Sequence, residues 1–198
     1  MKLVLATQNP KKLKEMNEIL SHLGVEVVSE AELGVRIEVE ETGETFTDNA
    51  RLKATAVMQA TGLPAVADDS GLCVDALNGG PGVYSARFGG EGLDDEGRYT
   101  LLLEMLRGQT DRAAHFHTSI VCAFPNGDEL VCEGECPGTI AFAPMGEGGF
   151  GYDPVFFVPE LRKTFGQLTA EEKASVSHRG KALRAFAAAL DDYLKGNE

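Results

Sequence analysis

The chain has 198 residues, 43% of them hydrophobic, which suits one compact domain (residues 1–198) or two closely joined lobes. Its net charge of −13 argues against a nucleic-acid-coating protein, which needs a basic face to neutralise phosphates. No apolar run approaches the roughly 20 residues of a membrane span, and the stretch from Met1 to Ala6 is too short for a signal peptide, so a cytoplasmic protein with no membrane partner is expected.

Residues 3–6 read as a short buried strand. A helix is expected over 10–23, because Leu13, Met16, Ile19, Leu20 and Leu23 fall on one face. Gly24 ends it, and residues 25–28 read as a second strand. An alanine-rich helix is expected over 46–61, closed by Gly62. A short strand over 64–67 runs into Asp68-Asp69-Ser70-Gly71, where Ser70 and Gly71 suggest a turn before a further strand at 72–77. Residues 78–92, rich in glycine, read as a long loop, and 101–106 as part of a third helix.

Two antiparallel strands are expected at 113–124 and 129–138, because Asn126-Gly127 between them is a hairpin signal. Residues 143–152 are again glycine-rich. Thr169 and Glu172 have the spacing of a capping box, and the last helix should run over 177–194 with Leu183, Phe186, Leu190 and Leu194 buried. Strand, helix, strand at the start implies an α/β fold with a mixed sheet and helices packed on it.

Four segments carry candidate chemistry. Thr7-Gln8-Asn9-Pro10-Lys11-Lys12 joins the first strand to the first helix, where free amides and the helix dipole attract phosphate. The bland alternative is an N-cap with solvated lysines. No Walker loop is present. Glu38, Glu40, Glu41 and Glu44 read most simply as a solvated acidic face. Asp68 and Asp69 are different: two carboxylates at the end of a buried strand repel unless a cation lies between them, and oxygen ligands with phosphate suit Mg²⁺. The third segment is Phe150-Gly151-Tyr152-Asp153, whose aromatics could stack on a flat ligand or simply fill a core. The fourth is Lys173 with Ser177-His178-Arg179, able to bind phosphate or a base edge. Cys132 and Cys136, with His115 and His117, lack the paired spacing of a zinc site.

In this order the segments resemble the inosine triphosphate pyrophosphatase family, the Ham1-like dITP/XTP pyrophosphatases. The resemblance rests on Thr7, Asn9 and Lys12; on Glu40-Glu41-Thr42-Gly43 with Phe46, Asn49-Ala50 and Lys53; and on residues 67–72 and 81–87. It ends with residues 149–154 and with Lys173 and residues 177–180. Gln8 stands where many members have glycine.

The resemblance implies an elongated mixed α/β fold with two lobes around a central nucleotide-binding cleft, a homodimer and Mg²⁺. It implies cleavage of ITP, dITP and XTP between the α and β phosphates, cleansing the nucleotide pool. Asp69, with Glu40 or Glu41, is expected to hold the metal, and Asp69 or Asp68 to orient or deprotonate water. Residues 7–12 (Gln8, Pro10 and Lys11 included), Lys53 and Ser70 are expected to hold the substrate. Phe150, Gly151, Tyr152 and Asp153 would frame the base, with Lys173, His178 and Arg179 contacting it.

Overall fold

The computed structural model describes residues 1–7 and 9–196, with the side chains of Pro10 and Lys11 left out of the description. The expectation for Gln8 therefore lies outside the described residues. The strands are β1 (Lys2–Leu5), β2 (Glu26–Ser29), β3 (Ala65–Val74), β4 (Ala113–Ala123), β5 (Glu129–Ile140), β6 (Phe156–Val158) and β7 (Lys163–Thr164). The helices are α1 (Pro10–Leu20), α2 (Phe46–Thr61), α3 (Asp95–Met105), α4 (Ala170–Val176) and α5 (His178–Gly196). They form a mixed α/β fold around one seven-stranded sheet of order β2-β1-β3-β4-β5-β6-β7. β1 pairs parallel with both β2 and β3, as expected of strands joined through helices. β4 and β5 are neighbours joined by a tight turn, with the Phe124 amide donating to the Asp128 carbonyl at 3.0 Å.

Contacts divide the chain into two compact units. The first holds residues 1–69, 118–134 and 181–198; the second holds 70–117 and 135–180. The first unit has apolar contacts on both faces of its strands. On one face Leu3, Leu5 and Val66 meet Met16 and Leu20 of α1 and Leu183, Phe186 and Leu190 of α5. On the other, Val4, Ala65 and Ala67 belong to the clusters that include Ala50, Ala54 and Val57 of α2. The second unit packs Phe116, Phe156 and Phe165 edge-to-face and stacked, beside Leu72, Leu102 and Ile140. All four cysteines are free thiols; Cys122 and Cys132 are buried in the first core, Cys136 in the second, and Cys73 is half-buried.

Local chemistry explains the helix limits. The Thr45 hydroxyl accepts the Asp48 amide at the start of α2, and Gly62 ends it at φ 67°, a conformation glycine adopts without penalty. Thr169 and Glu172 form the reciprocal capping box of α4. Ser177 ends α4 and its hydroxyl accepts the Gly180 amide, so α5 begins one residue later than expected.

Two expectations change. Asp68-Asp69-Ser70-Gly71 forms no turn but lies inside one continuous ten-residue strand, β3. Burial of Gly71 and Leu72 in the sheet overrides the local turn tendency of Ser-Gly. The loop over 78–92 contains a short 3₁₀ helix, Gly82–Arg87. Its Ser85 hydroxyl donates to the Gly82 carbonyl at 2.6 Å and accepts the Leu72 amide at 2.9 Å.

Phe186 is fully buried between α5 and the first sheet face. Truncation to alanine should cost about 3–5 kcal/mol, from lost transfer energy and the cavity left behind. Urea unfolding followed by circular dichroism checks this; a loss under about 1 kcal/mol would mean that this face is loosely packed.

Candidate active site

A β-strand alternates its side chains between faces, and this decides what Asp68 and Asp69 do. Asp68 follows Val66 onto the α1 side, where Lys12 donates to its carboxylate at 2.7 Å. Asp69 follows Ala65 and Ala67 onto the α2 side. One carboxylate oxygen accepts from Lys53 at 3.2 Å and the other from Asn49 at 3.3 Å. The two aspartates therefore do not share a cation between them: each has its own lysine. Ser70, next in β3, returns to the side of Asp68 by the same alternation.

Lys53 is the hub of the α2 side. Besides Asp69, its ammonium donates to Glu41 at 2.8 Å and to the Asp68 carbonyl at 2.9 Å. Burial works against its charge, but Asp69, Glu41 and Asp68 outweigh that and hold its pKa above the ordinary value. Burial pushes the Asp69 carboxyl above its ordinary range, and the Glu41 charge adds to the rise; Lys53 and Asn49 only partly offset it. Among the described residues, the carboxylates of Asp68, Asp69 and Glu41 meet the ammonium groups of Lys12 and Lys53.

The loop over 35–45 has no regular secondary structure, yet it brings Glu41 into this cluster while Glu40 stays exposed. The structure thus separates two neighbours that the sequence left equal. Glu38 lines, with Lys53, Ala6, Glu30, Ile37, Val39 and Val57, a cavity of about 280 Å³. Among the described residues no group of three or more His, Cys, Asp or Glu side chains is arranged to hold a metal unaided. A pair such as Asp69 and Glu41 suits Mg²⁺ nonetheless, since that ion keeps waters and binds through one or two carboxylates plus phosphate.

The segment before α1 forms a compact cap. The Thr7 hydroxyl accepts the Asn9 amide at 3.2 Å, and the Asn9 carbonyl accepts the amides of Lys12 and Leu13. The helix start thus lies next to an ammonium already committed to Asp68. The backbones of Pro10 and Lys11 form the first turn of α1.

In the second unit a separate cluster gathers the other expected residues. Asp153 is 3% exposed and accepts both the Phe150 amide, at 2.9 Å, and the Lys173 ammonium in a short contact. Burial pushes the Asp153 carboxyl above its ordinary range, opposed by Lys173 and the Phe150 amide. Gly149 leaves the room Asp153 needs: at φ 80°, a Cβ there would fall 1.9 Å from the carboxylate. The Lys173 ammonium lies 4.8 Å from the centre of the Phe150 ring, which is 73% exposed. His178, the first residue of α5, stacks on Phe116 at 4.7 Å, with Arg179 beside it in sequence.

Tyr152 is buried, not presented for stacking; its hydroxyl donates to the Ser85 carbonyl at 2.7 Å. The Gly151 amide donates to Asp95 at 2.7 Å. Ser85 and Asp95 were missed as supports. Ser85 lies within the matched motif over 81–87, but nothing in the spacing of either residue marks the loop it braces.

The chain is thus a mixed α/β protein with a part-buried acidic cluster on its third strand. The match to known proteins is close. The Ham1 family model matches residues 3–189. A dITP/XTP pyrophosphatase of an Exiguobacterium strain is 50% identical over 196 residues, covering 99% of this chain and 100% of that protein. The dITP/XTP pyrophosphatase of Thermus thermophilus is 53% identical over 194 residues, covering 97% and 93%. Among solved structures, the Ham1 protein of Staphylococcus aureus superposes with a TM-score of 0.91 at 41% identity, covering all of both chains. The HAM1 protein of Coxiella burnetii gives 0.93 at 43%, covering 97% and 99%. The chain belongs to the Ham1 family.

The charge balance yields a pH test. The folded-state pKa of Asp69 is already above the ordinary 3.8 with Lys53 in place, and removing the ammonium raises it further. A raised carboxyl pKa favours the folded state fully below the unfolded value, and that advantage is lost as pH rises through the folded value. Lys53→Met in metal-free buffer should therefore lose little melting temperature in acid and progressively more toward neutral pH. A deficit that does not vary with pH would show that the Asp69 carboxylate is not held by Lys53.

Proposed function

We propose that this chain hydrolyses the deaminated purine nucleoside triphosphates ITP, dITP and XTP to monophosphate and pyrophosphate, with Mg²⁺, so removing them from the nucleotide pool. As a Ham1 family member it is a nucleoside-triphosphate pyrophosphatase by class; the substrate, the metal and the residue roles are the proposal. The observation that carries it is the convergence of Asp69 and Glu41 on one ammonium, that of Lys53. Carboxylates brought together in a part-buried site repel one another unless cations join them.

In this reading Asp69 and Glu41 hold Mg²⁺, which when bound supplies charge neutralisation for the triphosphate. Asp69 orients water and takes its proton. A carboxylate is a weak base, and a metal that acidifies water would make the step feasible. Asp68 has a supporting role, since it is 5% exposed and holds Lys12 beside the amides of the α1 start. Those amides, with Thr7, Asn9, Lys12 and Ser70, hold phosphate oxygens. Lys53 keeps the two acidic groups together and would contribute positive charge toward the phosphates.

The exposed ring of Phe150 offers a face for a flat base. Lys173, His178 and Arg179 supply donors. Inosine and xanthosine present an acceptor at position 6, whereas adenosine presents an amine, so a donor aimed there loses its partner with ATP. One unpaired buried polar group costs about 1–3 kcal/mol, or about 10- to 100-fold in discrimination. The same reading takes the working form as a cytoplasmic homodimer. Among the described residues, no helix is long and apolar enough to cross a membrane.

The test is pyrophosphate release from ITP, XTP, GTP and ATP, with Mg²⁺ and then with EDTA, products separated by chromatography. Conversion of ITP and XTP to monophosphate, dependent on Mg²⁺ and sparing ATP and GTP, is expected. Orthophosphate as product would move the cut to the β–γ bond and overturn the mechanism. Asp69→Asn should lose about 10²- to 10⁴-fold in turnover while keeping the fold. Near-normal turnover would remove Asp69 from the chemistry.

A further inference from the structure

Asn49 has no part in the roles above, yet it is fully buried in the first turns of α2, a position where asparagine is a poor helix former. Its carbonyl oxygen accepts the Gly43 amide at 2.8 Å, and its NH₂ group donates to Asp69 at 3.3 Å. The amide orientation follows from the partners: a backbone N–H needs the oxygen, which leaves the NH₂ for the carboxylate. Lys53 is one helical turn further along the same face and repeats the pattern. It takes the other oxygen of Asp69 and the carboxylate of Glu41.

Two side chains of one helix thus hold both oxygens of Asp69 and grip the loop carrying Glu41 at two points, its side chain and the backbone of Gly43. Gly43 has no room for a side chain. A Cβ there would fall 2.6 Å from Asp48 Cβ, 2.7 Å from the Asn49 side-chain oxygen and 2.9 Å from the Asn49 backbone nitrogen.

We propose that Asn49 is a positioning residue for the divalent-cation site. It fixes the spacing and orientation of the Asp69 and Glu41 carboxylates through its bonds to Asp69 and to the Gly43 backbone. This rests on the metal-site reading above. Groups that orient metal-binding carboxylates typically change metal affinity about 10- to 100-fold when removed. Asn49→Ala should raise the Kd for Mn²⁺, measured from the free-ion electron paramagnetic resonance signal, by about tenfold or more. It should lower kcat for ITP more than it raises KM. Gly43→Ala leaves every side chain of the cluster in place but crowds the Asn49 bond, and should show the same signature. It also keeps the proposal testable should Asn49→Ala fail to fold.

Asn17→Ala is the control. Asn17 ties α1 to β2 through the Val27 carbonyl and amide, so its loss should lower the melting temperature but leave Mn²⁺ affinity unchanged. Mn²⁺ affinity and kcat within twofold of wild type in both Asn49→Ala and Gly43→Ala would overturn the role of Asn49. Weakened Mn²⁺ binding in a protein inactive on every nucleoside triphosphate would uphold it and overturn the function reading instead. A wild type without saturable Mn²⁺ binding would overturn both.

Discussion

Adjacent residues of a strand cannot point the same way, and the candidate site depends on that constraint. Had residues 68–71 formed a turn, the two aspartates could have converged and repelled one another. In the continuous strand β3, Asp68 goes to the helix that follows β1, and Asp69 to the helix that precedes β3. One carboxylate becomes a strut for Lys12 at the start of α1. The other stands with Glu41 and has the perturbed ionisation expected of a functional group. The same alternation buries Val66 under α1 and α5, and Ala65 and Ala67 on the α2 side. Packing and chemistry are therefore set by one pleat.

Buried charge is handled alike in the two units. Asp69 answers to Lys53 and Asn49; Asp153 answers to Lys173 and the Phe150 amide. In each, an acid driven toward its neutral form by burial is held by one ammonium and one N–H donor. In each, a glycine clears the space the acceptor needs, Gly43 for the Asn49 carbonyl and Gly149 for Asp153. In the first unit the lysine also reaches Glu41; in the second it lies over an exposed aromatic ring.

The elements with strong local signals were legible in the chain. α2 matches its expected limits because Thr45 and Gly62 punctuate an alanine-rich run, and Thr169 with Glu172 announces α4. The β4–β5 turn follows from Asn126-Gly127. What was not legible has physical causes. β6 and β7, of three and two residues, are too short to carry a period. β3 hid its continuity behind Ser70-Gly71, whose local tendency is overruled by burial from neighbours distant in sequence. Asp68, Asp69 and Lys12 could be singled out from their types and order, Lys53 from the resemblance, and Glu41 as an alternative to Glu40. The difference between Glu40 and Glu41 lies in an irregular loop with no repeat to propagate, and only its contact with Lys53 decides it. For Tyr152, aromatic identity leaves stacking and core filling equally open, and only the bond of its hydroxyl to the Ser85 carbonyl decides between them.

The cysteines carry a consequence of a different kind. Burial pushes the Cys122 thiol far above its ordinary value and raises Cys132 and the half-buried Cys73 as well. A thiol reacts through its thiolate, so burial slows the reaction of Cys122 and Cys132 while the first core stays closed. Alkylation of Cys122 or Cys132 then requires the first core to open, and alkylation of Cys136 the second. The chain carries its own chemical clock for each unit, readable by mass spectrometry without any added label in the sequence.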